Sequence, residues 1–248
     1  MGASIDYVGH ATVGIQVDGV RFLTDPILRP HIGRWLVRRR ALPPIDVDAP
    51  VDAVLLSHLH ADHVDLPSLQ RLGRTMRLIA PRGSAGLLHR AGFERVEELS
   101  AGEATVVDGV RVLATPAVHD GYRRPLGPLA EALGFVVEGS RRVYFAGDTD
   151  LFPGMAELGG VDVALLPIWG WGPNLGTGHL NPLRAVTAMQ LIRPRLTIPI
   201  HWGTLHPIGM GNLAYLTRPG PRFAAHAQWA VPELEVRVVP PGSRTATD

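Results

Sequence analysis

An apolar segment at residues 51–57 leads directly into a turn that carries three histidines and one aspartate. The segment reads VDAVLLS and has almost no polar alternation, which is typical of a strand buried on both faces of a sheet. The turn contains His58, His60, Asp62 and His63. Binding residues of α/β proteins gather where strands end. The segment therefore predicts a buried strand that ends in a functional cluster, and a polar loop exposed to water is the alternative.

Strand and helix signals alternate along the rest of the chain. Apolar runs predict strands at residues 4–8, 12–17, 20–24, 76–80, 134–138, 141–146, 161–167, 195–200 and 234–239. Helical patterns lie at residues 66–72, 83–92, 153–158, 182–192 and within 213–228. Residues 26–50 are rich in proline and arginine and look too irregular for a core element. No linker interrupts the sequence, so we predict one domain over residues 1–248, with mixed sheets and helices outside them.

Two short segments of the chain resemble each other closely. Residues 17–23 read VDGVRFL and residues 107–113 read VDGVRVL. Each predicts an Asp-Gly hairpin that leads into an apolar strand. The similarity suggests two similar halves, although such hairpins are common in unrelated sheets.

Three further side chains of the kind that bind metals follow apolar runs. His119 follows residues 112–116, Asp148 follows residues 143–147, and His201 follows residues 196–200. Because the strand ends of one sheet system face one edge, we expect these side chains to approach the cluster that begins at His58. The resulting five imidazoles and two carboxylates exceed the three or four protein ligands of one tetrahedral ion. They predict two divalent ions with a bridging carboxylate, and ligands without sulfur favour zinc, with manganese or iron as alternatives.

Composition excludes several other chemistries. The chain has no cysteine and no lysine, which excludes disulfides, thiolate ligands, lysine Schiff bases and a phosphate-loop lysine. Its 24 basic and 23 acidic residues leave a formal charge of +1, so no basic field attracts nucleic acid. No run approaches the roughly 18 apolar residues of a transmembrane segment, and no signal peptide is visible. These features predict a cytoplasmic protein and leave a homo-oligomer open.

The H-x-H-x-D-H motif of His58, His60, Asp62 and His63 is the hallmark of the metallo-β-lactamase superfamily, which this sequence resembles. Within the superfamily it is similar to the branch that holds N-acyl-phosphatidylethanolamine-hydrolysing phospholipase D and the bacterial ascorbate-phosphate lactonases. The segments that carry this similarity are GHATV at 9–13, LTDPI at 23–27, TPAVH at 115–119, FAGDT at 145–149, HLNP at 179–182 and IHWGT at 200–204. They run almost end to end, and they say little about the substrate.

The resemblance implies an α/β (α+β) fold, namely a four-layer αββα sandwich with the metals at one edge of its sheets. It assigns His58, His60 and His119 to one metal. It assigns Asp62, His63 and His201 to the other, with Asp148 bridging the two. The related redox branch usually has glutamate where this sequence has His60, which favours hydrolysis over oxygen chemistry. Lactamases that hold their second metal through cysteine match poorly, because this chain has none.

Two divalent ions would lower the pKa of a bridging water toward neutrality and so supply hydroxide for hydrolysis. Two metals, two carboxylates and one hydroxide leave a formal charge of about +1, which favours an anionic substrate, either a small molecule or lipid-like. We therefore predict a metal-dependent hydrolase of a phosphodiester or similar anionic ester, with Asp62 and His179 as catalytic residues. The alternatives are a lactonase or carboxylic esterase of the same fold and a metal-binding protein without turnover. A nuclease would need a basic groove or an inserted nucleic-acid-binding domain, and the sequence shows neither.

Several residues near the predicted ligands are candidates for supporting roles. His179 lies two residues before the predicted helix start at Asn181, where backbone N–H groups favour an oxyanion or a phosphate. By resemblance, His179 contacts substrate or donates a proton, and a histidine without a role in a glycine-rich loop is the alternative. Asp25 is placed either to accept an N–H group from a ligand histidine or to cap a turn, and His10 has the same ambiguity. His206 is a further candidate for substrate contact.

Two loops and one pair of arginines are candidates for determining specificity. Residues 26–43 mix apolar and arginine side chains, which suits a lid, a basic collar, a membrane-surface patch or a plain solvated loop. Residues 168–174, IWGWGPN, suit an aromatic wall, or core packing for one tryptophan. Arg123 and Arg124 either hold a phosphate or face water.

Overall fold

Two large β-sheets lie at the centre of the computed structural model, which describes residues 2–39 and 50–247. In chain order the strands are β1 (Ala3–Gly9), β2 (Thr12–Val17), β3 (Val20–Thr24), β4 (His31–Ile32), β5 (Leu36–Arg38), β6 (Ala53–Leu55), β7 (Leu78–Pro81), β8 (Val96–Leu99), β9 (Ala104–Val107), β10 (Val110–Pro116), β11 (Leu133–Glu138), β12 (Arg142–Phe145), β13 (Val163–Pro167), β14 (Leu196–Ile200), β15 (Leu205–Pro207), β16 (Glu235–Val236) and β17 (Ser243–Thr247). The helices are α1 (Leu66–Leu72), α2 (Ala85–Arg90), α3 (Pro182–Ile192), α4 (Ala214–Thr217) and α5 (Pro219–Ala230), with a 3-10 helix at Pro153–Leu158.

The two large sheets share one plan, in which antiparallel strands give way to parallel strands. The first sheet runs β17-β1-β2-β3-β6-β7-β8; it is antiparallel up to β3 and parallel beyond it. The second runs β16-β14-β13-β12-β11-β10-β9; it is antiparallel from β9 to β12 and parallel from β12 to β16. A small third sheet pairs β5 with β15 on one side and β4 on the other.

Alternate side chains of each large sheet enter different cores. In β12, Val143 and Phe145 pack in a core shared by both sheets, whereas Tyr144 packs in a second core beneath α3 and α5. In β6, Leu55 joins the shared core, whereas Val54 packs in a third core beneath α1 and α2. The two-residue period of a strand produces this division. The resulting order of helices, sheet, sheet and helices confirms the αββα class predicted from the sequence.

Both Asp-Gly hairpins predicted from the sequence are present. Asp18 and Gly19, which join β2 to β3, have φ of 52° and 87°; Asp108 and Gly109, which join β9 to β10, have φ of 46° and 89°. Positive φ at both central residues is what a type I′ turn requires. The hairpins are not equivalent in the fold, because β3 is the strand at which its sheet becomes parallel and β10 lies two strands before that point. The repeated sequence therefore reflects turn chemistry, while the likeness of the halves lies in their sheet order.

Residues 26–39 differ from the irregular loop that the sequence predicts. Strands β4 and β5 lie in this segment and pair with β15 from the second half of the chain. Apolar side chains from the segment and from β15 form a small buried core: Ile27, Ile32, Leu36 and Leu205. The interpretation as a plain solvated loop is therefore wrong for residues 26–39. Residues 40–43 of the predicted loop lie outside the described residues.

Some strands are shorter than the apolar runs that predict them. The run at residues 51–57 forms a strand only at Ala53–Leu55, and beyond its end Ser57 donates its backbone N–H to the carboxylate of Asp25. The run at residues 234–239 forms only the two-residue strand Glu235–Val236. Within the described part of the chain, no helix has the length and apolar character needed to cross a membrane.

Candidate metal centre

Each predicted ligand follows the carboxyl end of a strand. The turn after β6 holds four of them, and β10, β12 and β14 are each followed by one: His58, His60, Asp62 and His63, then His119, Asp148 and His201. The first four thus come from one large sheet and the other three from the second sheet. The structure brings all seven side chains together at one edge where the two sheets meet.

Three histidines form one group of possible ligands. The Nδ1 atom of His60 lies 3.1 Å from Nε2 of His119. The ring of His58 lies 4.5 Å from that of His60 and 4.6 Å from that of His119, centroid to centroid. The Nε2 atom of His58 is buried and has no hydrogen-bond partner in the described structure. These three side chains offer ligand atoms that all lie within 4.8 Å of one another.

A second group lies beside the first. The Nε2 atoms of His63 and His201 are 3.1 Å apart. The Oδ2 atom of Asp62 lies 3.7 Å from Nε2 of His63 and 3.8 Å from Nε2 of His201. His10 adds a fourth side chain, because its Nε2 atom lies 3.0 Å from the same carboxylate oxygen of Asp62.

Asp148 lies between the two groups. Its Oδ2 atom is 3.2 Å from Nε2 of His201 and 3.3 Å from Nε2 of His63 in the second group. The same oxygen is 3.9 Å from Nε2 of His119 in the first group. Its other oxygen, Oδ1, is buried and has no hydrogen-bond partner in the described structure. This one carboxylate is therefore within reach of both groups.

Contacts at the Nδ1 atoms fix the orientation of four histidine rings. The Nδ1 atom of His119 lies 2.8 Å from the carbonyl oxygen of Gly178, and that of His201 lies 2.7 Å from the carbonyl oxygen of Trp169. For the two others the partners are side chains: Ser57 Oγ lies 2.9 Å from Nδ1 of His58, and Asp25 Oδ2 lies 2.6 Å from Nδ1 of His63. A ring that donates from Nδ1 to an oxygen presents the lone pair of Nε2 to the centre, which is the arrangement of metal-binding histidines.

Asp25 joins the two sides of the histidine turn. One of its carboxylate oxygens accepts the backbone N–H of Ser57 at 2.8 Å, and the other accepts the Ser57 hydroxyl at 2.6 Å as well as the contact from His63. Asp25, His10 and His201 all have positive φ, at 35°, 58° and 59°. Such backbone conformations are uncommon outside glycine and gather at functional sites.

Burial and neighbouring charges shift the pKa values of the predicted ligands. Burial lowers the pKa of His119 to about 4 and that of His58 well below its usual value, so both rings are neutral near pH 7. Burial alone would raise the pKa of Asp148, but His201 and His63 beside it hold that pKa well below its usual value. Burial alone would lower the pKa of His63, but the carboxylates of Asp148, Asp25 and Asp62 raise it well above its usual value. Because divalent ions bind neutral imidazoles and ionised carboxylates, His63 must lose a proton when it binds an ion.

The residues present fit a metal site. Two ligand atoms bound to one tetrahedral zinc at about 2.0–2.1 Å lie about 3.3 Å apart. The contacts His60–His119 and His63–His201, both 3.1 Å, and Asp148–His201, 3.2 Å, lie close to that separation. The unpartnered atoms His58 Nε2 and Asp148 Oδ1 are the kind of buried polar atom that needs a ligand to satisfy it.

A cavity of about 420 Å³ opens beside these groups. His179 lies in its wall, with Nε2 3.5 Å from Oδ2 of Asp148 and Nδ1 3.0 Å from the carbonyl oxygen of Thr177. Its position before the Asn181 cap of α3 agrees with the predicted helix start. Trp171 and Arg124 also line the cavity.

The loops singled out in the sequence divide between the cavity and the protein interior. Trp171 lines the cavity, whereas Ile168 is buried in the core beneath α3 and α5, and the indole of Trp169 donates to the carbonyl oxygen of Gly172. Arg124 reaches the cavity and pairs with Asp120 at 3.1 Å.

Other candidates from the sequence lie away from the cavity. The guanidinium of Arg123 donates to the carbonyl oxygens of Leu59 and Val64 and so links two points of the histidine turn. His206 contacts the carbonyl oxygen of Pro207 and does not line the cavity.

The contact between His10 and Asp62 could not be predicted from the sequence. Its partners lie 52 positions apart, and no spacing pattern joins them. The left-handed conformation of His10 is stabilised from two sides, because Thr204 Oγ1 accepts its backbone N–H and its carbonyl oxygen accepts the N–H of His201. The GHATV segment was a signal that this turn has a role, but it did not indicate which residue His10 contacts.

Comparisons with known proteins agree with this geometry. The family model described as beta-lactamase superfamily domain matches residues 20–202. A UPF0173 metal-dependent hydrolase of Opitutus terrae is 35% identical and aligns over 96% of this chain and 97% of its own length. An N-acyl-phosphatidylethanolamine-hydrolyzing phospholipase D 1 of Caenorhabditis elegans is 33% identical over 86% of this chain and 66% of its own length.

Solved structures show the same fold. A metallo hydrolase, Igni18, from the archaeon Ignicoccus hospitalis aligns with a TM-score of 0.77 and 23% identity, covering 100% of this chain and 99% of its own. An isothiocyanate hydrolase from Delia radicum gut bacteria aligns with a TM-score of 0.76 and 20% identity, covering 98% of both chains.

Proposed function

The chain belongs to the β-lactamase superfamily and is a metal-dependent hydrolase, and we propose that it holds two divalent ions and cleaves an anionic ester, with a phosphodiester as the first candidate. The observation that carries this proposal is the position of Asp148, whose Oδ2 atom lies within 3.9 Å of ligand atoms in both histidine groups. A single carboxylate shared by two such groups is the arrangement of two-metal sites.

The proposed ligand sets follow the two groups. His58, His60 and His119 would hold one ion, Asp62, His63 and His201 would hold the other, and Asp148 would be shared by both sets. Zinc fits a set of imidazoles and carboxylates first, with manganese or iron as alternatives. Both halves of the chain contribute ligands and strands, so we also propose that residues 1–248 act as one domain.

Divalent ions bound here would supply an activated water molecule and would polarise the bond that is cleaved. The protein's own side chains do the remaining work. Asp62 accepts a hydrogen bond from His10 on the oxygen that faces His63 and His201, which holds its carboxylate in one orientation. His179 stands in the cavity wall beside Asp148, where its Nε2 atom can hold a proton for the leaving group.

The cavity wall supports an anionic substrate with an apolar portion. The guanidinium of Arg124 and the imidazole of His179 offer donors to a negatively charged group. Trp171 and Leu175 line the same cavity and offer apolar surface to the rest of the substrate. The similarity to a relative named as a phospholipase D supports a phosphodiester of lipid-like character.

Metal content and a substrate panel test the proposal together. The purified protein should contain about two equivalents of metal per chain. It should hydrolyse bis(p-nitrophenyl) phosphate and lose that activity in D148N and D62N. The control H31Q replaces an exposed histidine of β4 and should retain both metal and activity.

Each other outcome would change the proposal. One equivalent of metal in an active enzyme would contradict the shared role of Asp148. Hydrolysis of γ-butyrolactone or p-nitrophenyl acetate alone would favour the lactonase or carboxylic esterase. Full metal content without turnover of any of these substrates would favour a metal-binding protein without catalysis.

A further inference from the structure

Arg38, the last residue of β5, carries a charge that is buried in the protein. Its side chain is only 8% exposed. Nη2 donates to the carbonyl oxygen of Ile27 at 2.6 Å, and Nε donates to the carbonyl oxygen of Arg29 at 3.2 Å. Among the described residues, Nη1 has no hydrogen-bond partner and no carboxylate forms an ion pair with this guanidinium. A buried cation is costly unless an anion accompanies it.

A cavity of about 310 Å³ opens in front of Arg38. Buried side chains, namely those of Tyr7, Arg38 and Thr204, lie at its floor. Its wall and rim are largely apolar and carry exposed prolines: Trp202, Pro221, Val238, Val239, Pro240 and Pro241. This volume lies at the lower end of the roughly 300–1,000 Å³ range of ligand pockets.

Tyr7 supplies a second unsatisfied polar group at the same floor. Its side chain is 1% exposed, and its hydroxyl has no hydrogen-bond partner in the described structure. A buried hydroxyl without a partner is uncommon in folded proteins. The Arg38 guanidinium can only donate, whereas the Tyr7 hydroxyl can donate or accept. An acceptor with negative charge at this floor would pair with Arg38 and accept a hydrogen bond from Tyr7.

We propose that this cavity binds a small monocarboxylate with an apolar body. Its carboxylate pairs with Arg38 and accepts a hydrogen bond from the hydroxyl of Tyr7. A single negative charge matches the one buried guanidinium, because the second arginine that lines the cavity, Arg39, is exposed to water. The apolar body lies along Trp202 and Val239 toward the prolines at the rim.

This site is separate from the hydrolytic cavity. The residues that line the two cavities do not overlap. They are neighbours through the chain, because Trp202, Gly203 and Thr204 follow directly after His201. The proposed carboxylate site therefore does not depend on the identity of the hydrolysed substrate.

Binding of hexanoate to the metal-loaded protein tests the proposal. Titration calorimetry should show saturable binding of hexanoate, and 1-hexanol, which has the same tail without the charge, should bind at least tenfold more weakly. R38M should weaken hexanoate binding at least tenfold, and Y7F should weaken it by a smaller factor. Two controls should bind as the native chain does: R34M, at an exposed arginine of the same segment, and R124M, in the hydrolytic cavity.

A crystallographic measurement keeps the proposal falsifiable if R38M does not fold. Crystals grown with 6-bromohexanoate should show a bromine anomalous peak between Trp202 and the rim prolines, with the carboxylate at Arg38. A peak only in the cavity beside His179 would overturn the proposal, as would hexanoate affinity that is lost in R124M and kept in R38M.

A carboxylate from the chain itself is the competing occupant. Asp46 and Asp48 lie outside the described residues, close in sequence to Arg38. If the native chain does not bind hexanoate but D46N/D48N does, the chain's own aspartates satisfy Arg38 and the proposal is wrong. If both bind hexanoate with equal affinity, the proposal stands.

Discussion

The Nδ1 atom of His63 lies 2.6 Å from Oδ2 of Asp25, and both side chains are fully buried. Asp25 also accepts the backbone N–H and the hydroxyl of Ser57, the residue directly before His58. One carboxylate thus orients His63, a proposed ligand of one ion, and also holds the backbone directly before His58, a proposed ligand of the other ion. Changes at Asp25 should therefore affect metal binding even though Asp25 is not itself a proposed ligand.

The variant D25N should lower zinc affinity about 10- to 100-fold, the usual effect of losing a residue that orients a ligand histidine. Asparagine tolerates the positive φ of this position, so the change removes the charge and leaves the backbone conformation in place. Competition with a chromogenic chelator measures the affinity. D108N, at the second hairpin and also with positive φ, is the matched control. Equal zinc affinity in both variants would contradict this role for Asp25.

His10 should act in the same way on Asp62. The asparagine of H10N tolerates the φ of 58° at this position, but its side chain is too short to keep the 3.0 Å contact with the Asp62 carboxylate. We expect zinc affinity to fall about 10- to 100-fold, with hydrolysis restored at high zinc. H206N is the control, since the imidazole of His206 contacts the neighbouring carbonyl oxygen of Pro207 and does not line the hydrolytic cavity. A variant that binds zinc normally but hydrolyses slowly would instead place His10 in the chemistry.

Removal of metal should destabilise the protein as well as abolish hydrolysis. Ions that bind the folded state alone add about 2.7 kcal/mol of stability when the free metal stands at 100 times the dissociation constant. Calorimetry with and without a chelator should show a lower melting temperature for the metal-free protein, and added zinc should restore it. In D148N, chelation should shift the melting temperature less. A shift as large as in the native protein would argue against the bridging role of Asp148.

Arg124 should select substrates by charge. Its guanidinium lines the hydrolytic cavity and pairs with the exposed Asp120, so R124M removes one positive group without opening a buried cavity. We expect KM for an anionic phosphodiester to rise about tenfold, a typical effect of losing one charge-assisted hydrogen bond. KM for an uncharged ester should stay within twofold. R90M, at an exposed site on α2, controls for net charge.

Gly147 should be intolerant of any side chain. A Cβ atom at this position would lie 2.6 Å from Cβ of Ser57 and 2.9 Å from the carbonyl oxygen of Leu133. G147A should therefore push the Asp148 loop away from the histidine turn, with a stability loss of roughly 1–3 kcal/mol in urea unfolding and a loss of bound metal. G102A also has a positive φ, 89° against 60° at Gly147, and its Cβ would meet no atom of the described residues within 4 Å, so it measures a backbone contribution without a contact. Similar losses in both variants would attribute the effect to φ rather than to the contact.

The α/β class and the grouping of the seven predicted ligands could be inferred from the sequence because both follow from strands, whereas the four-layer order followed from the resemblance to a known family. A buried apolar run such as residues 51–57 marks a strand, and a polar residue just beyond its end marks the edge where strands of both sheets finish. His119, Asp148 and His201 could therefore be placed near His58 although they are far away along the chain.

What the sequence could not reveal depends on contacts between distant side chains. The pairing of β5 with β15 joins residues more than 160 positions apart, and neither segment has a strong strand pattern. Arginine is usually exposed, so nothing in the sequence marked Arg38 as buried. The apolar run at residues 51–57 leaves the strand before Ser57, whose backbone N–H is accepted by the distant Asp25, a contact that no local pattern encodes.

The division of the seven side chains between the sheets has a mechanical consequence. Four follow the end of β6 in one sheet, and three follow the ends of β10, β12 and β14 in the other. Ions bound by side chains from both sheets would cross-link the two layers at the edge where the strands end. Loss of the ions should then let the layers slide against each other, and hydrogen exchange should quicken along β6 and β12 together rather than at the loops alone.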